Sequence, residues 1–296
     1  MKILIAVDSS SAAHQVVDEA AARPWPEGTT FCVANVADVQ RFAKLPALLE
    51  DAKRAGEAVV KACVEKLVRS GQRAYSEVVV GYPRSALSEY AKEWHADLIM
   101  VGSHGHSAIG RFLLGSVAQG ILRKASCSVE IVRAASGGPL PSSHPMKILL
   151  ATDGSDFSLA AAHSVVSRPW PGGTVFRILS VEELVIVESP MAASSLSAIY
   201  PASLLEELIA DARSRAVSAM EGAQKIFKQA GVALLNEQSI PTGEPRAVIL
   251  DTAKAWPADL IVLGSHGRRG MDRFLMGSVA ESVAIHAHCS VEVIRN

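Results

Sequence analysis

The chain has 296 residues, of which 49% are hydrophobic and 20% charged, which predicts about two globular domains. The formal net charge of −1, without a basic run, argues against a nucleic-acid partner and against binding to an anionic membrane surface. The four cysteines lack zinc-site spacing, and the N-terminal apolar run is too short for a signal peptide or a membrane helix, so we expect a cytoplasmic protein.

Short apolar runs alternate with amphipathic stretches along the first half. The apolar runs predict strands over residues 2–8, 30–36, 75–80, 97–101 and 129–133. Between them, helical spacing predicts helices over residues 10–22, 46–69, 85–94 and 117–124. This alternation predicts an α/β domain with a doubly wound, five-stranded parallel sheet.

The same order of elements recurs in the second half. Residues 2–8 match residues 147–153, and Arg23-Pro-Trp-Pro26 recurs as Arg168-Pro-Trp-Pro171. We therefore predict two homologous domains, residues 1–134 and 146–296. A linker rich in glycine, proline and serine, residues 135–145, joins them.

Strand ends and edges lead to further expectations. Pro241 lies in the counterpart of the third strand, so that strand should be at an edge or end before the proline. The fifth strand would leave the opposite edge open, and we predict that strand 129–133 pairs with strand 291–295. Extra residues at 183–202 in the second domain are interpreted as a tolerated surface insertion or as a lid or partner surface.

A glycine-rich stretch with the spacing Gly-x2-Gly-x9-Gly-Ser follows the fourth strand of each domain. It runs from Gly102 to Ser116 and again from Gly264 to Ser278. A strand that leads into such a loop and then into a helix is typical of a phosphate site, because the first amides of the helix lack partners. No lysine follows the last glycine, so the motif is not a P-loop.

Several polar residues flank this stretch. Asp8 and Asp153 end the first strands, where each would accept hydrogen bonds from a ribose, hold a magnesium ion, or cap the next helix. Ser116 and Ser278 are candidates for helix capping and for binding a phosphate. His104 and His266 are interpreted either as phosphate contacts or as hydrogen-bond partners within the loop.

The first-strand aspartate, the glycine spacing, the following Gly-Ser-Val-Ala and the closing strand together resemble universal stress proteins. The resemblance covers the chain outside the linker and the 183–202 insertion. It implies two tandem open Rossmann-like sheets of strand order 3-2-1-4-5 that bind an adenine nucleotide, with ATP as the ligand of the branch that carries this signature. It also implies dimerisation through the last strand, and a homodimer is a further expectation.

The adenine is then expected near the ends of the first two strands and the phosphates at the glycine-rich stretch. With the polar residues above, the predicted nucleotide site of the first domain comprises Val7, Asp8, Val36, Gly102, His104, Gly105, Gly115, Ser116 and Val117. That of the second domain comprises Thr152, Asp153, Val181, Gly264, His266, Gly267, Gly277, Ser278 and Val279.

The two copies differ between their glycines, where Arg268-Arg269 replaces His106-Ser107. Because arginines hold phosphate charge, we predict tighter ATP binding in the second domain. The predicted function is that of an ATP-binding, nucleotide-dependent regulator in the stress response. A slow Mg²⁺-dependent ATPase or phosphotransferase and a scaffold that has lost nucleotide binding are the alternatives, and no catalytic residue is assigned.

Overall fold

The computed structural model describes residues 1–39, 46–104, 114–133, 144–183, 201–235, 239–268 and 276–295. Gly105, Arg269, most of the predicted linker and nearly all of the predicted insertion lie outside these ranges. The elements of the first half are β1 (Lys2–Ala6), α1 (Ser11–Ala22), β2 (Thr30–Asp38), α2 (Pro46–Arg69), β3 (Arg73–Gly81), α3 (Pro83–Glu93), β4 (Leu98–Gly102), α4 (Ser116–Lys124) and β5 (Ser128–Val132). Those of the second half are β6 (Lys147–Ala151), α5 (Asp156–Val166), β7 (Val175–Leu179), α6 (Ala202–Gln229), α7 (Pro245–Ala255), β8 (Leu260–Gly264), α8 (Ser278–His286) and β9 (Ser290–Ile294).

Local sequence signals explain where several of these helices begin and end. The side chains of Ser10 and Ser155 cap the N-termini of α1 and α5 by accepting backbone hydrogen bonds from the first turn. Soon after the last residues of α2 and α6 come Gly71 and Gly231, with φ of +86° and +67°. Glycine adopts this left-handed conformation without the steric cost of a side chain, which ends both helices.

The described residues form one sheet of nine strands, in the order β3-β2-β1-β4-β5-β9-β8-β6-β7. The first five strands are parallel and have the predicted order 3-2-1-4-5. Within its described residues the second half repeats this order from the other side with four regular strands, where the sequence predicts five. Near Pro241, Ser239 forms an isolated parallel bridge with Leu179 at the end of β7, and Thr242 forms one with Glu182. Proline has no amide hydrogen to donate, which explains why regular pairing does not continue through residue 241 at this edge.

The two sheets join through β5 and β9, which confirms the predicted pairing of the last strands. The pairing is antiparallel, with Val129 opposite Val293, Glu130 opposite Glu292 and Ile131 opposite Val291. The two tandem sheets therefore form one continuous sheet. Joining them satisfies the backbone groups that an open edge would expose.

Buried ion pairs of the repeated Arg-Pro-Trp-Pro motif lie at this junction. Arg23 donates to the two carboxylate oxygens of Glu130 at 2.8 and 2.7 Å, and Arg168 donates to Glu292 at 2.8 Å. The Arg23 guanidinium also lies 5.5 Å from the ring centroid of Trp170 in the other domain. Removing one partner of such a buried ion pair costs about 3–5 kcal/mol. Each ion pair lies within its own domain, whereas the contact of Arg23 with Trp170 crosses the junction.

Apolar cores cover both faces of the sheet. On the face of α3, α4, α7 and α8, one continuous core runs through both domains and across the junction. On the opposite face each domain has its own core, against α1 and α2 in the first and against α5 and α6 in the second. The face with the shared core therefore connects the helices that follow the two glycine-rich stretches. Of the described helices, none is both long and apolar enough to cross a membrane.

Candidate functional site

A cavity opens at the carboxyl ends of the strands in each domain. It lies where the strand order reverses, between β1 and β4 in the first domain and between β6 and β8 in the second. The first cavity has a volume of about 800 Å³ and the second of about 650 Å³. Both volumes fall in the range of roughly 300–1,000 Å³ that is typical of small-molecule sites.

The residues predicted from the sequence come together at these cavities. The first is lined by Val7, Asp8, Val36, Gly102, His104, Gly115, Ser116 and Val117. The second is lined by Thr152, Asp153, Val181, Gly264, His266, Gly267, Gly277, Ser278 and Val279. Gly105 lies outside the described residues.

The helices that follow the glycine-rich stretches begin at the cavity walls without a side-chain cap. Gly115 and Gly277 are the N-cap residues of α4 and α8, and neither has a side chain to accept a hydrogen bond. Ser116 and Ser278 are instead the first helical residues, so the capping role considered for them belongs to the glycines. Among the described residues no side chain caps the first-turn amides, and this end of a helix attracts anions.

The same glycines fix the helix starts against the strand ends. The amide of Gly115 donates to the carbonyl of Ser103 at 2.7 Å, and that of Gly277 donates to the carbonyl of Ser265 at 2.9 Å. A Cβ atom on Gly277 would lie 3.2 Å from the Ser265 carbonyl oxygen. A larger residue would therefore crowd the turn that presents the open amides.

Asp8 and Asp153 organise the loops after the first strands rather than capping helices themselves. One carboxylate oxygen of Asp153 accepts hydrogen bonds from the amide of Ser155 at 3.0 Å and from its hydroxyl at 2.6 Å, and Ser155 caps α5. The other oxygen accepts from the amide of Arg268 at 3.0 Å. Asp8 accepts in the same way from the amide and hydroxyl of Ser10. The interpretation of these aspartates as helix caps is therefore corrected. They orient the serines that cap the helices.

Protein side chains alone do not build a magnesium site within the described residues, and a contact of Asp8 or Asp153 with Mg²⁺ stays a prediction. Both carboxylate oxygens of Asp153 already accept hydrogen bonds from the surrounding loops. Among the described residues, no three His, Cys, Asp or Glu side chains gather into a metal-binding group. Mg²⁺ requires near-octahedral oxygen coordination, and we assign it no step.

His104 and His266 each present one unpaired ring nitrogen. Their Nδ1 atoms lie 3.0 Å from the hydroxyls of Ser103 and Ser265. Their Nε2 atoms are buried and have no hydrogen-bond partner in the described part of the chain. His266 is only 5% exposed and packs against Phe157. Because buried polar atoms are normally paired, these nitrogens are suited to hydrogen-bond a bound molecule.

Close packing also explains why the first residue of each glycine-rich stretch is a glycine. A Cβ atom on Gly264 would lie 2.6 Å from the backbone carbonyl carbon of Phe157 in α5. On Gly102 it would lie 3.1 Å from the Cβ atom of Ala12 in α1. These glycines let the helix after the first strand cross close to the end of the fourth.

The sequence interpretation missed several residues that line the cavities. Asn35 lies in β2 next to Val36, and its side-chain amide donates to the carbonyl of Val7 at 2.8 Å. Arg215, from the middle of α6, lines the second cavity. Asn35 could have been found from its place beside Val36, whereas nothing in the local sequence distinguishes Arg215 from the other charged residues of its helix.

Comparisons with known proteins agree with this architecture. A universal stress protein of Methanocaldococcus jannaschii is 34% identical over 150 residues, which cover 50% of this chain and 81% of that protein. One of Mycobacterium tuberculosis is 28% identical over 222 residues, which cover 74% of this chain and 68% of that protein.

Solved structures share the fold over the whole chain. A universal stress protein from Archaeoglobus fulgidus superimposes with a TM-score of 0.67 at 19% identity, covering 100% of this chain and 96% of the other. The sequence model of the universal stress protein family matches residues 1–133 and again residues 145–295. The chain therefore belongs to the universal stress protein family, as a member with two tandem domains.

Proposed function

We propose that each cavity binds an adenine nucleotide, with ATP as the ligand, and that the protein acts as a nucleotide-dependent regulator in the stress response. The observation that carries this proposal is the uncapped first turn of α4 and of α8, each opening into a cavity of nucleotide size. Further features of the cavities support binding of the phosphates and of the base of such a ligand.

The phosphate end is supported by charge and by open donors. Ser278 and Val279 line the second cavity at the positive end of the α8 dipole, where the backbone amides of a helix favour an anion. Arg268 lines the same wall and adds a full positive charge. The unpaired Nε2 of His266 supplies a further donor in its protonated form or in the tautomer that carries hydrogen there.

The base end is supported by apolar walls at the ends of the first two strands. In the second cavity Val181 and Ile249 face this end, and in the first cavity Val36 and Leu87 hold the corresponding places. Flat aromatic ligands bind well between such side chains, with a few polar groups fixing their orientation.

A binding role rather than a catalytic one is supported by the aspartates. Asp153 is held by Ser155 and by the backbone of Arg268, so its carboxylate supports the loop rather than standing free to accept a proton. A ligand that bridges the strand ends and the helix start would instead order the loop between them. This supports a switch whose state depends on nucleotide occupancy.

Native mass spectrometry and calorimetric titration of the full chain test the proposal. We expect about two ATP per chain for the unaltered protein, one for Gly277→Val or Gly115→Val, and none for the double variant, since valine would crowd the helix starts. Gly172→Val is the matched control, because a Cβ atom there meets nothing within 4 Å. Absence of ATP binding by the unaltered chain at millimolar nucleotide, or full binding by the double variant, would overturn the proposal.

A further inference from the structure

An arginine follows the last strand of each domain and reaches into the other domain. Arg133, after β5, donates from its backbone amide to the hydroxyl of Ser290 at 3.0 Å. Arg295, after β9, donates in the same way to Ser128 at 3.2 Å. The antiparallel pairing of the two strands carries each arginine past the end of its own domain.

Both guanidinium groups bind the C-terminus of a helix. Arg133 donates from Nη2 to the carbonyls of Ala284 and Ile285 in the last turn of α8, at 2.6 and 3.3 Å. Arg295 donates from Nη2 to the carbonyl of Leu122 in the last turn of α4, at 2.8 Å. The last carbonyls of a helix lack partners within it and carry its negative partial charge, so a cation is favourable there.

These contacts lie in a partly desolvated environment. Burial lowers the pKa of Arg133 to about 10, and burial also lowers the pKa of Arg295. The loss of hydration is offset by the carbonyl oxygens that each guanidinium meets. Charges held in this way are screened by salt far less than charges on the surface.

The capped helices are the two whose N-termini line the cavities. α4 and α8 each have nine residues, so their ends are separated by about 13 Å. One end of α4 meets the first cavity, and the other end is held by Arg295 from the second domain. α8 has the reciprocal arrangement, with its N-terminus at the second cavity and its C-terminus held by Arg133 from the first domain.

We propose that Arg295 is a positioning residue for the nucleotide site of the first domain, and Arg133 for that of the second. Each holds the phosphate-facing helix of the other domain in place and complements its dipole, so that neither domain builds a complete site alone. This inference rests on the proposed nucleotide function and adds to it a crossed dependence between the two sites.

The test uses the full chain with one site closed, so that calorimetry reports the other. In the Gly277→Val background, which leaves the first site, Arg295→Gln should weaken ATP binding by about three- to tenfold. Lys124→Gln is the matched control, since it removes a positive charge from the same last turn of α4 at an exposed position, and its effect should stay below about twofold. Arg295→Lys should recover part of the loss, because an ammonium group can still donate to the helix end.

The direction of the effect separates positioning from general damage. In the Gly115→Val background only the second site remains to be measured. There, Arg295→Gln should weaken ATP binding by less than half as much as it weakens binding at the first site. Arg133→Gln should show the reverse preference. Equal weakening of both sites, or no weakening of the first, overturns the inference. If Arg295→Gln does not fold, Arg295→Lys takes its place. The inference is then overturned if the first site of Arg295→Lys binds ATP as tightly as that of the protein with Arg295.

Hydrogen exchange gives a readout that needs no nucleotide. Arg295→Gln should speed amide exchange in residues 116–124 more than in residues 278–286, and equal acceleration in both helices contradicts the crossed arrangement. Failure of the unaltered protein to bind ATP removes the proposed function and this inference with it. ATP binding that Arg295→Gln leaves unchanged removes the inference alone.

Discussion

The two cavities share a scaffold but differ around their mouths. Both have the aspartate after the first strand, the glycine N-cap and the histidine with an unpaired Nε2. In the second, Arg268 crosses over Gly154 and donates from Nη2 to the carbonyl of Arg215 at 3.1 Å, which joins the glycine-rich stretch to α6. The second cavity is also the smaller of the two.

The residues around this bridge differ in the first domain, where His106 stands in place of Arg268. Ser9 stands where the second domain has Gly154, and a Cβ atom on Gly154 would lie 3.0 Å from the Arg268 guanidinium. Counting back from Gly71 and Gly231, the first-domain counterpart of Arg215 is Ala55. The two domains therefore share the glycines that shape the N-termini of α4 and α8, but they differ in the charged residues around the openings of their cavities.

The largest expected effect concerns the strand ends beneath the cavities. Gly264→Ala should lower the free energy of unfolding by about 3 kcal/mol, because its Cβ atom would lie 2.6 Å from the backbone of Phe157. Gly102→Ala should cost about 1 kcal/mol, since the nearest atom is the Cβ of Ala12 at 3.1 Å. Urea denaturation measures both, with Gly172→Ala as the control in open space. Equal losses at the two glycines would contradict this difference in packing.

The next effect concerns the charge at the second mouth. We expect the second site to bind ATP more tightly than the first, and Arg268→Ala to weaken it by about tenfold at low salt. Because Arg268 is exposed, the effect should shrink to about threefold at 0.5 M salt. Titration in the Gly115→Val background measures it. Lys225→Ala, which removes an exposed charge from α6, is the control. A tighter first site in the unaltered protein would refute the ranking.

The smallest effect concerns closure of the mouth. Gly154→Ser gives the second domain the residue of the first, and should weaken ATP binding at the second site by about threefold by displacing the Arg268 side chain. It should also cost about 1 kcal/mol of stability, since φ at Gly154 is +77°. Gly28→Ser is a close control, because Gly28 has the same φ and a Cβ atom there meets nothing within 4 Å. Equal ATP affinity of the two variants would show that the bridge contributes nothing to binding.

Much of the fold could be predicted because its signals are local. The continuous apolar runs of β1 and β4 identify buried parallel strands, and Gly71 marks the end of a helix whatever surrounds it. The residues predicted at the strand ends came together because parallel strands in a known order place their carboxyl ends side by side. The broken third strand of the second domain was signalled by Pro241 alone.

Other features depend on contacts between distant residues. Arg215 reaches the second cavity only because α6 packs beside β7 and α5, and its helix pattern gives no sign of this. The role of Asp153 in orienting Ser155 and the Arg268 backbone depends on two loops meeting. Charged residues of an amphipathic helix look alike in sequence until the fold places one of them at a cavity.

By itself the sequence determined the tandem repeat, the alternation of strands and helices, and the glycine spacing that opens a helix start toward a phosphate. These follow from periodicity and backbone freedom, which act over a few residues. The tertiary structure decided the antiparallel register in which β5 and β9 pair, and that Arg133 and Arg295 each cap a helix of the other domain. Such contacts join residues more than 150 positions apart, so only the register of the strand pair determines which side chain meets which helix.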